Sequence, residues 1–311
     1  MTAFKLLDLS KVPVPDIITS PDFETKYEEL KAILVGFNPD YAEVLQLESD
    51  PLAGALQTFA YRELVLEAKI NDATRANMLA SSKGNDLDGI GARYNVERLV
   101  VQEGDELARP PIPRIMEDDD SYRRRIQMAF DGLNTAGSDD AYVFHALSAS
   151  GKVLDADATS PSPCNMVVTV LSRDGNGTPN NDLLVAVRRY FGLTDDGSAP
   201  AKQTSKVRPL GDRVMVVPAN VTEYAVVAEL TILPGPAGDV IRQAAEAAVL
   251  EYVNDRHKLG YDVTRSGLYA ALHRPGVHNV RLISPAADLV MDNTQAAFCT
   301  GVTVTVGGVD E

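Results

Sequence analysis

The sequence contains no tryptophan and only two cysteines, Cys164 and Cys299, among its 311 residues. Two isolated cysteines exclude a disulfide-rich scaffold and a cysteine-based zinc site, and they predict folding in a reducing compartment such as the cytoplasm. No apolar run approaches the roughly 20 residues that a transmembrane helix requires, so the sequence predicts no membrane span. Because aromatic residues make up only 6% of the chain, we expect a core built mainly from Leu, Val, Ile and Ala.

Positive charge is also scarce, since 29 Lys and Arg residues face 44 Asp and Glu residues and the formal net charge is −15. Nucleic acids and anionic membrane surfaces both bind clustered cations. The sequence therefore predicts neither nucleic acid nor membrane as a partner. With 45% hydrophobic residues, the chain has the composition of a globular protein of about two domains.

Motifs for catalysis or cofactor binding are missing as well. The turn Gly175–Gly177 begins like a dinucleotide-binding loop, but Asn180 occupies the third glycine position. The same turn begins like a calcium loop, but Val185 occupies the position of the bidentate Glu. We therefore predict no cofactor, no metal ion and no enzymatic activity.

Two weaker candidates for chemistry are better explained by structural roles. Cys164 and His145 would form a nucleophile and base, but no supporting motif surrounds them, and we interpret both as structural. The carboxylates Glu117–Asp120 would suit a cation. Acids at a helix start, followed by Arg123–Arg125, instead predict a capped and solvated helix N-terminus.

The hydrophobic pattern predicts an α+β protein in four parts. Residues 1–21, which contain three prolines, form an extended N-terminal arm that either packs on a neighbouring chain or is disordered. Residues 22–150 form a helical region with a long helix at about 51–82. Alternating strand and helix patterns then predict two small α+β domains, at 151–218 and 219–311.

The long helix carries the most informative periodicity. Asp50 and Pro51 are typical of a helix start, and about 32 residues would give a helix of roughly 48 Å. Eight residues spaced alternately by four and three form a heptad stripe, which we call the seam. The seam consists of Leu52, Leu56, Phe59, Glu63, Leu66, Ile70, Ala73 and Asn77.

Such a seam packs either on helices of its own chain, which is the more common arrangement, or on helices of other chains. The other predicted helices are too short to cover a stripe of about 48 Å. We therefore predict that the seam forms a bundle with other chains. The polar residues Glu63 and Asn77 would help to specify register and partner.

Short motifs between Asp50 and Val306 resemble, in the same order, those of the baseplate J-like family of contractile phage tails. Each motif alone has low specificity, whereas the ordered set is specific. The motifs are Asp50–Leu52, Phe59–Glu63, Ile70–Ala73, Gly84–Asp88, Tyr94–Val96, Tyr122–Ile126, Ser138–Tyr142, His145–Ser148, Val170–Ser172, Gly175–Pro179, Val207–Leu210, Arg265–His273 and Ser284–Leu289.

The resemblance implies a structural wedge subunit of the tail baseplate rather than an enzyme. Members of that family bundle their long N-terminal helices, in pairs, with a helix of another wedge protein. Their C-terminal domains contact adjacent wedges and close a six-fold ring around the hub, and the ring opens to trigger sheath contraction. The implied partners are copies of this chain, other wedge proteins, and hub or sheath-initiating subunits. The implied location is the tail baseplate of the virion, after assembly in the host cytoplasm.

Three alternatives are left open by the residues. R-type bacteriocins and other contractile injection particles use similar subunits, so the particle is not specified. A tail-associated enzyme would depend on Cys164, His145 or the acids at 117–120. A sheath or tube subunit would form long polymers alone, whereas a wedge subunit would form small discrete oligomers.

Overall fold

The computed structural model describes residues 6–13, 22–47, 49–134, 136–200, 205–235 and 238–310. Residues 1–97 form one compact unit and residues 98–311 another. Most of the predicted N-terminal arm, at 1–5 and 14–21, lies outside the described residues. Within the described ranges, no helix is both long and apolar enough to cross a membrane.

The described part of the first unit is helical. Its helices are α1 (Phe23–Phe37), α2 (Tyr41–Val44), α3 (Pro51–Ala76) and α4 (Gly84–Arg93). The side chain of Asp22 caps α1 by accepting a hydrogen bond from the Thr25 amide at 2.9 Å. The side chain of Asp50 caps α3 by accepting one from the Leu52 amide at 2.8 Å. The start of α3 at Asp50 agrees with the sequence prediction, and α1 begins where the predicted helical region begins. In both helices a capping carboxylate satisfies an amide that the first turn leaves unpaired.

The core of the first unit lies between α1 and α3. Its buried residues are Tyr27, Leu45, Ala53, Leu56 and Ala60. Further along the contact between α1 and α3, Lys26 Nζ of α1 lies 2.8 Å from Glu67 Oε1 of α3. One face of α3 is therefore occupied by α1.

The long helix is shorter than predicted, because it ends at Ala76 after 26 residues instead of continuing to about 82. The Asn77 side-chain amide donates to the Ala73 carbonyl at 2.9 Å. The Ser81 hydroxyl donates to the Arg75 carbonyl at 2.7 Å. Side chains that bond to the final carbonyl groups compete with continuation of the helix, so Asn77 lies just past its end.

The described part of the second unit contains one two-stranded sheet and two three-stranded sheets, which we call the first and the second sheet. It begins with a short antiparallel pair, β1 (Val100–Gln102) and β2 (Ile115–Met116), followed by helices α5 (Asp119–Gln127) and α6 (Asp139–Ala149). The first sheet has the order β3-β4-β5 and is formed by β3 (Val153–Ser162), β4 (Asn165–Ser172) and β5 (Arg213–Pro218), with α7 (Asn181–Tyr190) between β4 and β5. In this sheet β3 is antiparallel to β4, and β5 is parallel to β4.

The second sheet has the order β7-β6-β8. Its strands are β6 (Asn220–Ile232), β7 (Val277–Ser284) and β8 (Gln295–Val309), and the helices α8 (Gly238–Arg256) and α9 (Arg265–Leu272) come between β6 and β7. Buried residues of β6, including Val226 and Leu230, pack in one core with Val249 of α8 and Leu268 of α9. This arrangement confirms the predicted α+β class.

The observed grouping of helices differs from the prediction, which placed residues 22–150 in one helical region. The structure assigns α5 and α6 to the same unit as the first sheet. The physical reason is that α6 is apolar on most sides, with Tyr142, Ala146 and Leu147 buried, and it packs against β3. The strands β1, β2 and β3 were not predicted.

Candidate interaction surface

The structure divides the predicted seam into two parts. At its N-terminal end, Leu56 is only 8% exposed and lies in the core with Tyr27, while Leu52 packs against the same cluster. These two leucines stabilise their own chain. The expectation that short helices leave the whole seam uncovered is therefore wrong at this end, where α1 covers it.

The remaining seam is open to solvent. Phe59 is 63% exposed, Leu66 is 53% exposed and Ile70 is 48% exposed. The polar seam residue Glu63 and the small residue Ala73 are exposed on the same stripe. We call Phe59, Glu63, Leu66, Ile70 and Ala73 the free seam.

The free seam and the α1-facing side of α3 are different faces of one helix. The residues that face α1 include Ala53 and Ala60, both fully buried, and Glu67, which pairs with Lys26. Phe59 to Ile70 extends over roughly 16 Å of helix. An apolar stripe of this kind, left exposed beside a buried core, is typical of a protein interaction site.

His145 and Cys164 both have surroundings that fit a structural role in the fold. His145 lies buried in α6, where burial lowers the pKa of its imidazole, and its ring packs edge-on against Phe144 with centroids 5.4 Å apart. Cys164 lies in the tight turn between β3 and β4, with a φ of 62°, and its carbonyl accepts a hydrogen bond from the Arg213 amide at 2.7 Å. Within the described ranges, no cluster of three or more His, Cys, Asp or Glu side chains is arranged to hold a metal ion.

The acidic run at 117–120 forms the predicted capped helix start, but the prediction that the run is solvated is wrong for Glu117, which is buried. The side chain of Asp118 accepts from the Ser121 amide at 2.8 Å and caps α5. Burial opposes ionisation of this carboxyl, but hydrogen bonds from Ser121 and the charge of Arg173 outweigh it, so the pKa of Asp118 is lowered. Asp120 pairs with Arg123 at 2.6 Å. Asp118 and Asp120 are therefore engaged in contacts within the chain.

Sequence reasoning missed the role of Glu117. Its carboxylate forms a two-point ion pair with Arg125, at 2.6 Å from Nη2 and 2.9 Å from Nε. Both side chains are only 4% exposed. Ion pairs within a helix are recognisable in a sequence because their residues are three or four positions apart. Glu117 precedes the helix and lies eight positions from Arg125, so the sequence carries no signal for this pair.

Two further carboxylates lie on β3, where the first sheet meets the second. Asp155 Oδ1 accepts from Arg124 at 2.7 Å and Oδ2 accepts from the Leu259 amide at 3.0 Å. Asp157 Oδ2 accepts from Asn293 Nδ2 at 3.0 Å. Burial raises the pKa of the Asp157 carboxyl to about 6, and the negative charges of Asp155 and Asp139 act in the same direction.

Asp157→Asn is expected to stabilise the protein at pH 7.5. The pKa of Asp157 in the folded chain, about 6, lies above the ordinary aspartate pKa, so the stability that its protonated form contributes is complete below about pH 4 and is lost as the pH rises through about 6. An amide removes that cost and still accepts from Asn293. We expect a gain of about 1 kcal/mol in the free energy of unfolding, discounted for partial exposure.

The measurement is urea unfolding of both proteins at pH 7.5 and pH 4.5. The gain is expected to be about one third as large at pH 4.5, where Asp157 is largely protonated in the folded chain. Asp174→Asn, at an exposed carboxyl paired with Lys152 at 3.4 Å, is the control for changes of net charge. A gain of equal size at both pH values would contradict the assignment.

Comparisons with known proteins cover nearly the whole chain. Residues 48–105 match the baseplate J-like N-terminal domain, residues 134–218 the baseplate J-like central domain, and residues 224–305 the baseplate J-like protein C-terminal domain. The chain is also 44% identical to "Baseplate protein J" of Escherichia phage P2. That alignment spans 311 residues, 98% of this chain and 99% of the phage protein.

Proposed function

The chain belongs to the baseplate J-like family, and from that premise we propose that it is a structural wedge subunit of a contractile phage tail. In this proposal, it helps to form a six-fold ring around the baseplate hub, and the ring rearranges to trigger sheath contraction. Three family models in the family's order and the full-length similarity to a phage baseplate protein support a baseplate role. The similarity to a phage protein favours a phage tail over an R-type bacteriocin.

The observation that carries the wedge proposal is the free seam on α3. Its large apolar residues are about half exposed or more, although α1 packs on the neighbouring face of α3. Burying each of them in an interface would contribute about 1.5–3 kcal/mol. We propose that the free seam forms a helical bundle with a second copy of this chain and a helix of another wedge protein.

The division of the second unit is also a proposal. We assign residues 151–218 to a middle domain and residues 219–311 to a C-terminal domain. The family models that end at 218 and begin at 224 support this boundary. In the ring, the C-terminal domain would contact adjacent wedges.

Co-expression with the other tail proteins encoded beside this chain tests the wedge function. We expect one discrete complex with a fixed ratio of subunits, because a wedge contains two copies of this chain and one partner. Its mass is measured by native mass spectrometry and its shape by negative-stain imaging. Long polymers of this chain alone would favour a sheath or tube subunit and would contradict the proposal.

A further inference from the structure

We propose that the two sheets of residues 98–311, although they match two separate family models, form one rigid unit without a hinge between them. The consequence for triggering rests on the proposed function. If the ring rearranges, this unit moves as a single body, and the contacts that change are those with other subunits. Three features of the junction between the sheets support the proposal.

The first feature is the connection itself. β5 ends at Pro218 and β6 begins at Asn220, so Ala219 alone joins the two sheets. The Ala219 amide donates to the Val170 carbonyl of β4, and the Asn220 amide donates to the Thr294 carbonyl, both at 2.9 Å. A one-residue connection whose flanking amides are bonded into both sheets has no free backbone torsions to serve as a hinge.

The second feature is the carboxylate of Asp155, which is 3% exposed. It joins Arg124, in the first-sheet part of the unit, to the Leu259 amide, which lies beyond α8 in the second-sheet part. If the sheets separated, Leu259 would lose its acceptor and the carboxylate would lose one of its donors. Leaving such buried groups unpaired is costly, so Asp155 resists opening of the junction.

The third feature is close apolar packing across the junction. Leu171 of β4 lies in one buried cluster with Ala219, Leu259 and Ala296. Gly177, in the turn after β4, has a φ of 99°, and a Cβ at this position would lie 2.9 Å from His257 Cε1. Only glycine fits both this backbone conformation and this contact. The two parts are therefore in direct apolar contact at the junction.

Two polar contacts extend the junction beyond this cluster. Asn293 Nδ2 donates to Asp157, and Asn176 Nδ2 donates to Glu223 Oε1, each at 3.0 Å. These contacts connect two further segments of the first-sheet part to the second-sheet part. Separation of the two sheets would break these contacts as well as those of Asp155.

Hydrogen–deuterium exchange of the isolated full-length chain tests the proposal and does not depend on any baseplate activity. In a rigid unit, the amides of Ala219 and Leu259 exchange only when the whole unit opens. Their protection is then expected to lie within about 10-fold of the protection of the central amides of β4 and β6. The proposal would be overturned if, in the unmodified chain, the Leu259 amide exchanged faster than the central amides of β4 and β6 by several powers of ten.

Asp155→Asn provides the variant test. It keeps the shape of the side chain but removes the charge, and we expect Leu259 to exchange about 10- to 100-fold faster than in the unmodified chain. The control Asp174→Asn, at an exposed ion pair on the same part of the chain, is expected to leave Leu259 unchanged. Unchanged exchange at Leu259 in Asp155→Asn would contradict the role of this carboxylate.

If a rigid unit is found in a chain that does not enter baseplates, the proposed function fails and this inference stands.

Discussion

Replacing Phe59 and Leu66 together with Asp is expected to release this chain from the wedge complex while leaving its own fold intact. Both side chains are more than half exposed, so the free energy of unfolding should change by less than about 1 kcal/mol. In the bundle, the change removes two buried apolar groups and introduces two charges. We expect affinity for the partner helices to fall by at least about 100-fold.

Affinity purification of the co-expressed complex gives the readout, and circular dichroism of the isolated chain checks the fold. Tyr61→Asp is the matched control, because Tyr61 is exposed on the same helix but lies about 200° around the axis from Phe59. We expect the control to retain its partners. Full partner recovery with the double variant would exclude the free seam as the bundle interface. Leu56 is unsuitable for this test, since its replacement would damage the core shared with α1.

Arg125→Leu is expected to give the largest loss of stability in the second unit. The change leaves the Glu117 carboxylate, which is 4% exposed, without its opposite charge. Breaking one side of a buried ion pair costs about 3–5 kcal/mol. For a unit of this size, the melting temperature should fall by roughly 10 °C.

The double variant Glu117→Leu/Arg125→Leu separates loss of the pair from exposure of a lone charge. Because an apolar pair of similar volume leaves no unpaired charge, we expect it to recover most of the stability lost in Arg125→Leu. Thermal unfolding of the two variants and the unmodified chain supplies the comparison. A double variant as unstable as Arg125→Leu would mean that packing at this site, rather than charge, controls stability.

The helix starts were predictable from the sequence because their determinants are local. Asp22, Asp50, Asp118 and Ser138 each accept a hydrogen bond from an amide two or three residues further along the chain. The end of α3 was not predictable in the same way. It depends on side-chain bonds to carbonyl groups, and the amphipathic pattern shows no break at Asn77.

The strand β3 was missed because its carboxylates obscure the apolar alternation. Asp155 and Asp157 alternate with the buried residues Ala156 and Ala158, which in isolation suggests a polar segment. The partners that make burial of Asp155 possible are 31 and 104 residues away in the sequence. Long-range pairing of this kind has no signature in a single sequence.

The seam was predicted mainly from large apolar residues, and this explains why its N-terminal part was assigned to an interface with other chains instead of to the core. The face of α3 that packs against α1 includes Ala53 and Ala60, and alanine contributes little to a hydrophobic pattern. That face lies about one residue, or roughly 100°, around the helix axis from the seam. Leu56 is close enough to both faces to enter the core. The free seam lies outside this overlap.

Photo-cross-linking in assembled particles is the most direct test of the claim that the free seam binds other chains. A photoreactive amino acid is placed at Leu66 in one preparation and at Tyr61 in another, and the products are identified by mass spectrometry. We predict a cross-link from position 66 to a helix of another polypeptide, and little or none from position 61. Particles that assemble normally but give no intermolecular cross-link at position 66 would contradict the account.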